Sequence, residues 1–403
     1  MIRRTLRWSV LAAATAGVAA APPPPSILSV PNASSGFALA VASDGKVAVA
    51  GDPMSGAQNA ATGAVHVFAW DGKSWTPDGT LEPKDVGDGA WFGNAVQVDG
   101  GRLLVGAPEL KPNTTGDAVA VIAPGKAPWS RNAPHRNSGG VYVFRRQSSG
   151  WIQQERLVGS QSRVGANFGK AVAVDHDSLV VGAPGEDLRK GAVYVFRRTP
   201  NGWREEARLA PDRPEIQYGE VVAVSGDTLV VGGGRMTRGA DVFRRIAGVW
   251  RKEATLSDPA PVAQTGFGGA VAISSEAMLV AAPLINDIYK DQPVVHLFRR
   301  RGTAWLAVAQ LQPATKPPDF GFGRSIALTD GVASILGGRK IYRFRLGAAG
   351  ATLVGTTDLT PLGSNVYARS VATTSASTLV GAAVPNRAEG ANVLVVYSTP
   401  QEK

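Results

Sequence analysis

Hydrophobic residues along this chain recur in short alternating runs, and the runs follow one another in a fixed order. Most units start with an aromatic residue and glycine, continue with a run such as Ala-Val-Ala-Val and a turn, and then have a run such as Leu-Val-Val-Gly-Ala-Pro. The stretch from Phe168, FGKAVAVDHDSLVVGAP, is a clear example. Period-two alternation between turn residues predicts short β-strands joined by hairpins. Units of this kind start near residues 37, 92, 168, 218, 267, 322 and 367.

Each unit continues with a third alternating run that ends in an aromatic residue, as in GVYVF up to Phe144 and VLVVY up to Tyr397. A fourth run opens with tryptophan in five units, at Trp75, Trp151, Trp203, Trp250 and Trp305. Four short strands repeated about every 50 residues are typical of propeller blades. We therefore predict an all-β fold, a seven-bladed β-propeller of four-stranded blades, over residues 26–398. Small residues such as Gly106 and Gly182 are expected where backbones approach closely.

The two ends of the repeat region predict how the ring closes. The last unit stops soon after Tyr397 and has no fourth run that opens with tryptophan. The segment from Ile27 to Val30 lies ahead of the first unit, where fourth strands lie elsewhere. An N-terminal strand that completes the last blade would leave no exposed sheet edge. We expect this strand to close the propeller.

The first residues have the features of an export signal. Arg3, Arg4 and Arg7 precede a short apolar stretch, and Val18 and Ala20 are small residues at −3 and −1 of a cleavage site. We predict a signal peptide over residues 1–20 and a proline-rich spacer over 21–25. The apolar stretch is too short to predict a membrane span, and no later segment approaches the ~20 apolar residues that a span needs. A retained N-terminal anchor is the alternative.

The repeated units resemble FG-GAP repeats, which form the seven-bladed propeller of integrin alpha subunits and occur in secreted bacterial proteins. The resemblance rests on the Phe-Gly pairs, the Gly-Ala-Pro ends and the GAVYVF continuation, and it covers about residues 26–398. It implies a module for binding or adhesion, with ligands on the face formed by the links between blades and between second and third strands. Family members often bind calcium through a D-x-D-x-D-G-x-x-D-like loop between the first and second strands.

That calcium loop is absent from this sequence. The corresponding links are short, such as Asp99-Gly100-Gly101 and Asp175-His176-Asp177, and offer too few of the six to eight oxygens that calcium prefers. These residues suit tight hairpins instead. We therefore predict no metal site and no cofactor.

Other catalytic or nucleotide motifs are also absent. The Gly169-Lys170 pair precedes a predicted strand rather than a helix and lacks the Ser or Thr of a phosphate loop. His66 and His296 occupy a third-strand position that is tyrosine in other units. The chain has no cysteine, no G-x-S-x-G elbow and no H-E-x-x-H helix. No catalytic residues are predicted.

The charge pattern predicts a basic rim. The 42 Lys and Arg outnumber the 32 Asp and Glu, for a net charge of +10. Arginine pairs follow the third strand in four successive units, at Arg145 and Arg146, Arg197 and Arg198, Arg244 and Arg245, and Arg299 and Arg300. Equivalent positions in successive blades lie on one rim, so these residues form either an arc that attracts anionic partners or a set of solubilising hairpin ends.

Two links depart from the repeat and are candidate binding sites. An insertion over residues 109–138 separates the second and third strands of the second unit, and loops of this length are often functional or disordered. Its candidate binding residues are Glu109, Lys126, Trp129, Arg131 and Arg136. The equivalent link of the third unit contributes Glu186 and Asp187.

These features favour a non-enzymatic module that is secreted, periplasmic or on the cell surface and binds a protein or glycan, including an anionic one. A monomer is expected, and export together with the lack of a basic run disfavours nucleic acid as a partner. The alternative is a carbohydrate-active propeller enzyme with acids in the central channel. Its candidate acids are Asp52, Glu109, Glu186, Asp187 and Asp287. A propeller tethered in the envelope by its N-terminus is a third possibility.

Overall fold

The computed structural model describes residues 24–31, 33–56, 61–83, 89–109, 138–212, 216–233, 239–259, 266–283, 293–313, 319, 321–385 and 392–398. The strands of this part of the chain form seven four-stranded antiparallel sheets. The predicted seven-bladed propeller of four-stranded blades is therefore confirmed.

The strands follow the order of the sequence runs. The first strand, β1 (Ser26–Leu28), precedes blade 1, which consists of β2 (Ala40–Ser43), β3 (Val47–Asp52), β4 (Ala64–Trp70) and β5 (Trp75–Leu81). Blade 2 consists of β6 (Ala95–Asp99), β7 (Arg102–Ala107), β8 (Gly140–Gln147) and β9 (Gly150–Leu157). Blade 3 consists of β10 (Ala171–Asp175), β11 (Ser178–Ala183), β12 (Ala192–Thr199) and β13 (Gly202–Leu209), with a short helical turn, α1 (Glu186–Arg189), after β11.

The remaining blades have the same arrangement. Blade 4 consists of β14 (Val221–Ser225), β15 (Thr228–Gly232), β16 (Gly239–Ile246) and β17 (Val249–Ser257). Blade 5 consists of β18 (Val271–Ile273), β19 (Ala277–Ala282), β20 (Val294–Arg301) and β21 (Ala304–Leu311). Blade 6 consists of β22 (Ile326–Thr329), β23 (Val332–Leu336), β24 (Lys340–Leu346) and β25 (Ala351–Asp358), followed by a 3-10 turn over Thr360–Leu362. Blade 7 contains β26 (Tyr367–Thr373), β27 (Ser377–Ala383) and β28 (Asn392–Ser398).

The N-terminal strand completes blade 7, as predicted. Strand β1 pairs antiparallel with β28, with Ile27 opposite Val395 and Leu28 opposite Leu394. Side-chain hydrogen bonds also join blade 7 to the first residues of blade 1: Asn392 Nδ2 donates to the Ser34 carbonyl over 2.9 Å, and Ser370 Oγ donates to the Ala38 carbonyl over 3.0 Å. The ring is thus closed by backbone pairing and by these contacts.

Because blades 1 to 6 are antiparallel sheets of consecutive strands and blade 7 has the same order with β1 as its fourth strand, the links separate onto two faces. The tight hairpins between first and second strands and between third and fourth strands lie on one side, called here the hairpin face. The links between second and third strands and between successive blades lie on the other, called here the link face. The resemblance to integrins predicts ligands on the link face.

The core lies between adjacent blades. Both sides of the second strands are covered, so β11 is buried along its whole length, whereas the outer strand β5 alternates between half-buried and exposed residues. Gly182 allows the closest approach: a Cβ atom there would lie 1.8 Å from the Gly219 carbonyl oxygen of the next blade. Gly106 stands in the same relation to Gly169, at 2.0 Å. The glycine of the repeat therefore allows the close approach of neighbouring blades that the sequence predicts.

A β-bulge recurs in the fourth strand of blades 1 to 6. In blade 3, Val195 pairs with Ala207 but Phe196 pairs with Glu205, so Glu206 is the extra residue. The register shifts at the same place in the other five blades. A bulge redirects the side chain of the extra residue, and in blades 1, 3 and 4 this residue contacts the following blade.

Candidate functional site

A cleft of about 330 Å³ opens on the link face among blades 2, 3 and 4. Its lining includes the residue before the aromatic-glycine pair in each of these three blades, namely Trp91, Asn167 and Gln217. It also includes Glu109, Lys170, Arg189 and Glu220. Clefts of roughly 300–1,000 Å³ are the usual size of small-ligand sites in proteins.

The same strained turn presents the lining in all three blades. Trp91, Asn167 and Gln217 have φ angles of 57°, 55° and 61°, a left-handed conformation that is uncommon in residues other than glycine. Their carbonyl groups accept hydrogen bonds from the backbone N–H groups three residues later, as from Lys170 to Asn167 over 3.0 Å and from Glu220 to Gln217 over 3.1 Å. Such strain persists only where the surrounding structure holds it, and it often marks functional sites.

The cleft contains groups of both charge signs. Asn167 Nδ2 donates to Glu109 Oε1 over 2.5 Å, so this carboxylate is held by an amide rather than by a cation. Lys170 and Arg189 line the same cleft and provide positive charge, and Glu220 provides a second carboxylate. Together with the Trp91 ring, the cleft can therefore offer hydrogen-bond donors, acceptors and an apolar surface to one ligand.

The α1 turn forms one wall of the cleft. Asp187, Leu188 and Arg189 have φ angles of 49°, 58° and 71°, so this turn is left-handed although it contains no glycine. Leu188 is 96% exposed. The Arg189 carbonyl accepts a hydrogen bond from the Gln217 N–H over 2.7 Å, which ties the turn of blade 3 to the link that enters blade 4. Asp187 forms an exposed ion pair with Lys190 at 3.1 Å.

The predicted binding residue Glu186 lies beneath this turn. It is only 6% exposed, and its carboxylate accepts hydrogen bonds from Tyr194 Oη over 2.7 Å and from Arg208 Nε over 2.8 Å. Burial, together with the hydrogen bond to Glu186, raises the pKa of Tyr194 well above its usual value. Glu186 therefore anchors the turn from below, while Asp187 is on the surface.

The insertion of blade 2 begins and ends beside the cleft. Glu109 lines the cleft, and the Ser138 carbonyl accepts a hydrogen bond from the Phe168 N–H over 2.9 Å. The predicted binding residues Lys126, Trp129, Arg131 and Arg136 lie outside the described residues.

The arginine pairs of the basic rim lie at the ends of third strands, on the hairpin face and opposite the cleft. The second arginine of three pairs meets a carboxylate of a neighbouring blade: Arg146 lies 3.0 Å from Asp78, Arg245 lies 3.6 Å from Glu206, and Arg300 lies 2.5 Å from Glu253. Arg299 donates to the backbone carbonyls of Glu276 and Gly347. The side chains of Arg145, Arg197, Arg198 and Arg244 form no ion pair with any described residue. The rim thus contains both neutralised and available charges.

The candidate acids of the enzymatic alternative occupy different surroundings. Asp52 is fully buried and accepts hydrogen bonds from the Ser34 N–H and hydroxyl; burial opposes its ionisation, but these bonds and His66 lower its pKa. Glu186 is buried as described above, Glu109 lines the cleft, and Asp287 lies outside the described residues. Among the described residues, no three His, Asp or Glu side chains form a group that could hold a metal ion. No helix in the described part of the chain is long and apolar enough to cross a membrane.

Sequence reasoning missed most of the cleft. Trp91, Asn167, Lys170, Arg189, Gln217 and Glu220 were not among the predicted binding residues. Five of these six flank an aromatic-glycine pair, where the residue type changes from unit to unit while the pair stays the same. Aligning the units against one another would reveal these positions, because their residue type varies while the neighbouring aromatic-glycine pair does not.

Comparisons with known proteins agree with the repeat. The family model of the FG-GAP repeat matches residues 151–196, which contain the Trp151 strand, the Phe168-Gly169 pair and the third strand of blade 3 as far as Phe196. Integrin alpha-X of Mus musculus is 29% identical over 149 residues, which are 34% of this chain and 11% of that protein. The chain thus matches only a small part of that relative's length.

A solved structure supports the fold across the whole chain. A chain in the crystal structure of the mitotic checkpoint complex superposes with a TM-score of 0.56 and covers 98% of each chain at 14% identity. This likeness concerns the propeller architecture alone. The repeat match, the similarity to integrin alpha-X and the seven blades together support an integrin-alpha-like FG-GAP repeat β-propeller.

Proposed function

We propose that this propeller is an exported, non-enzymatic binding or adhesion module that recognises a partner protein through the cleft on its link face. The observation that carries the proposal is the repeated strained turn, which brings Trp91, Asn167 and Gln217 from three successive blades to one cleft. An FG-GAP propeller fits a binding or adhesion module in general. We also propose that the protein is a monomer and that it is located at the cell surface or in the periplasm.

The chemistry of the cleft favours a polypeptide that presents both charged and apolar groups. Lys170 and Arg189 suit a carboxylate, Glu220 suits a basic side chain, and the Trp91 ring provides the kind of aromatic anchor that dominates many protein interfaces. Protein partners offer these groups within a short segment. Binding of a glycan that carries an anionic group is the other possible outcome of the test described below.

The surroundings of the candidate acidic residues give less support to the alternative that the propeller is an enzyme. Asp52 and Glu186 are buried and their oxygens accept hydrogen bonds from neighbouring protein groups, so neither is available to transfer a proton to a ligand in the channel. Glu109 is bound by Asn167 at the cleft. These contacts favour a binding role for the link face.

The test compares the mature protein with Trp91→Ala on arrays of immobilised extracellular proteins and glycans. The matched control is Trp70→Ala, because Trp70 is 40% exposed and lies at the outer end of β4, at the hairpin face. We expect the ligands of the wild type to be lost in Trp91→Ala and retained in Trp70→Ala. Equal binding by both variants would refute the assignment of the cleft, and turnover of a bound glycan would refute the non-enzymatic role.

A further inference from the structure

Blade 6 departs from the repeat at a core position of its two middle strands. On the second strand, Ser334 takes the place held in blades 1 to 5 by Val49, Leu104, Val180, Val230 and Leu279. Directly opposite on the third strand, Arg343 takes the place held by Val67, Val143, Val195, Val242 and Leu297. A pair of apolar side chains has thus been replaced by a hydroxyl and a guanidinium.

Blade 7 carries matching polar replacements on the side that meets blade 6. Thr378 takes the second-strand place held by Leu103, Leu179, Leu229 and Met278 in blades 2 to 5. Opposite it, Thr373 takes the first-strand place held by Val98, Val174, Val224 and Ile273. The polar residues of the two blades are therefore concentrated at one inter-blade contact.

These residues line a pocket of about 60 Å³ that reaches the hairpin face between blades 6 and 7. Ser334 is 1% exposed and Thr378 is 2% exposed, and neither hydroxyl has a hydrogen-bond partner among the described residues. The half-buried Arg343 forms no ion pair or hydrogen bond with any described residue. Two exposed hairpin residues, Asp330 and Ser375, lie at the pocket and give it access to solvent.

Leaving these groups without partners is unfavourable. A buried hydroxyl without a hydrogen bond costs roughly 1–3 kcal/mol in proteins, and a buried charge without a partner costs more. Burial lowers the pKa of Arg343, and no neighbouring carboxylate offsets this effect. A bound group that accepts hydrogen bonds and carries negative charge would satisfy all three side chains together.

We propose that the pocket between blades 6 and 7 binds a small oxyanion, such as a sulfate or phosphate group, through Arg343, Ser334 and Thr378. A guanidinium has five N–H donors and no acceptor, and the free hydroxyls provide two further donors. A cavity of only ~10–15 Å³ holds one water molecule, so the pocket of about 60 Å³ has room for a larger group. Asp330 at the rim opposes a high negative charge and so limits the affinity.

The inference does not depend on the cleft, because the pocket lies on the opposite face of the propeller. The oxyanion is either a free ion or an ester group of a larger molecule. The site requires the same donors in both cases.

The test measures the thermal unfolding midpoint of the mature protein while sodium sulfate replaces sodium chloride at constant ionic strength. Sulfate stabilises most proteins by exclusion from their surface, so a specific site must appear as a further increase that follows the logarithm of the sulfate concentration above the dissociation constant. The test variant is Ser334→Val with Arg343→Val, which rebuilds the Val180–Val195 pair of blade 3 and is therefore expected to fold. The control is Arg301→Gln, which removes the same charge from an exposed arginine on the hairpin face.

We expect wild type and Arg301→Gln to show this logarithmic increase and the double valine variant to lose it. Arg343→Val alone should weaken the affinity for sulfate by about tenfold or more, the effect of one charge-assisted hydrogen bond. Asp330→Asn should strengthen the affinity, because a repulsive charge is removed. Methyl sulfate and methyl phosphate distinguish an ester group from a free ion. An equal increase in the wild type and the double valine variant at every sulfate concentration would overturn the proposal.

Discussion

Trp151 of blade 2 donates its indole N–H to the carboxylate of Asp78 in blade 1, with Nε1 3.2 Å from Oδ2. Arg146 binds the same carboxylate. The arrangement recurs where Trp250 and Arg245 of blade 4 meet Glu206, and where Trp305 and Arg300 of blade 5 meet Glu253. In each case the acid is the extra residue of a fourth-strand bulge. The acid at each of these bulges thus binds the tryptophan and the arginine of the next blade. This repeated contact between blades is called here the tie.

The first prediction tests this tie in blade 4. Glu253→Gln removes the charge that binds Arg300 and weakens the acceptor for Trp305, and hydrogen bonds to charged groups contribute roughly 1.5–3 kcal/mol. We expect the free energy of unfolding, measured with urea, to fall by about this amount. Glu276→Gln is the control, because Glu276 is exposed and its side chain forms no ion pair with a described residue. A similar loss in both variants would argue against the tie.

The second prediction restores a missing tie. Blade 2 has Gln154 at its bulge, and the side chains of Arg198 and Trp203 in blade 3 bind no carboxylate among the described residues. Glu155 accepts a hydrogen bond from the backbone N–H of Trp203 over 3.0 Å. Gln154→Glu should stabilise the protein by about 0.5–1.5 kcal/mol, because a carboxylate would receive both donors. The nearby carboxylate of Glu155 reduces the gain. Unchanged or reduced stability in urea unfolding would show that the bulge alone does not create the tie.

The third prediction concerns the basic rim. Replacing Arg145, Arg197 and Arg244 with Gln should weaken retention on an anionic polysaccharide column, since no carboxylate in the described part of the chain pairs with these residues. Replacing Arg146, Arg245 and Arg300 removes the same formal charge but should mainly lower the unfolding temperature, because their charges are already paired. Salt should reduce the difference in retention as charges are screened. Equal retention of the two triple variants at low salt would contradict this division of the rim.

The fourth prediction concerns closure. Removing the chain up to Val30 deletes the strand that pairs with β28 and the contacts of Leu28 and Val30 with the core of blades 1 and 7. We expect a loss on the order of 2–4 kcal/mol in unfolding free energy. A protein that begins at Ser26 is the control and should unfold like the mature form. An unchanged unfolding temperature in the longer deletion would show that β1 does not stabilise the ring.

The fifth prediction concerns acid sensitivity. His296 is fully buried with its Nε2 3.1 Å from Asp258, and burial lowers its pKa while Asp258 opposes part of that effect. The unfolded chain takes up a proton near the ordinary histidine pKa of about 6.5, but the folded protein does so only at lower pH. Stability is therefore complete above about pH 6.5 and falls below it, by at most about 1.4 kcal/mol per pH unit from this group.

His296→Tyr is the matched variant for this prediction, because tyrosine occupies the same position at Tyr142, Tyr194 and Tyr342. Tyr342 donates to Asp319 over 3.0 Å, which shows that a carboxylate can be accommodated there. We expect the unfolding temperature of the variant to depend less on pH between about 7 and 5. An identical pH profile in both proteins would assign the acid sensitivity to other groups.

The strands and the number of blades were predictable because they depend on local patterns. Alternation within runs, turn residues between them and the repeat of the Phe-Gly pair specify each blade without reference to distant residues. The closing strand was also predictable, since the last unit lacked a fourth run and the segment before the first unit supplied one.

The assignment of roles within the repeat was less predictable. Glu186 was predicted as a contact residue because it lies on a variable link, but its carboxylate lies under the α1 turn, bound to Tyr194 and Arg208. The arginine pairs were predicted as one basic arc, but the acids that pair with Arg146, Arg245 and Arg300 lie one blade earlier in the chain.

The sequence by itself therefore determined the fold, because each strand and turn is specified by neighbouring residues and repeated seven times. Only the tertiary structure decided the sites. Trp91, Asn167 and Gln217 are far apart in the chain and meet because successive blades rotate equivalent turns toward one cleft. Arg343 and Thr378 meet because blades 6 and 7 pack face to face. Contacts between blades depend on that packing, which cannot be predicted from the residue pattern within a single unit.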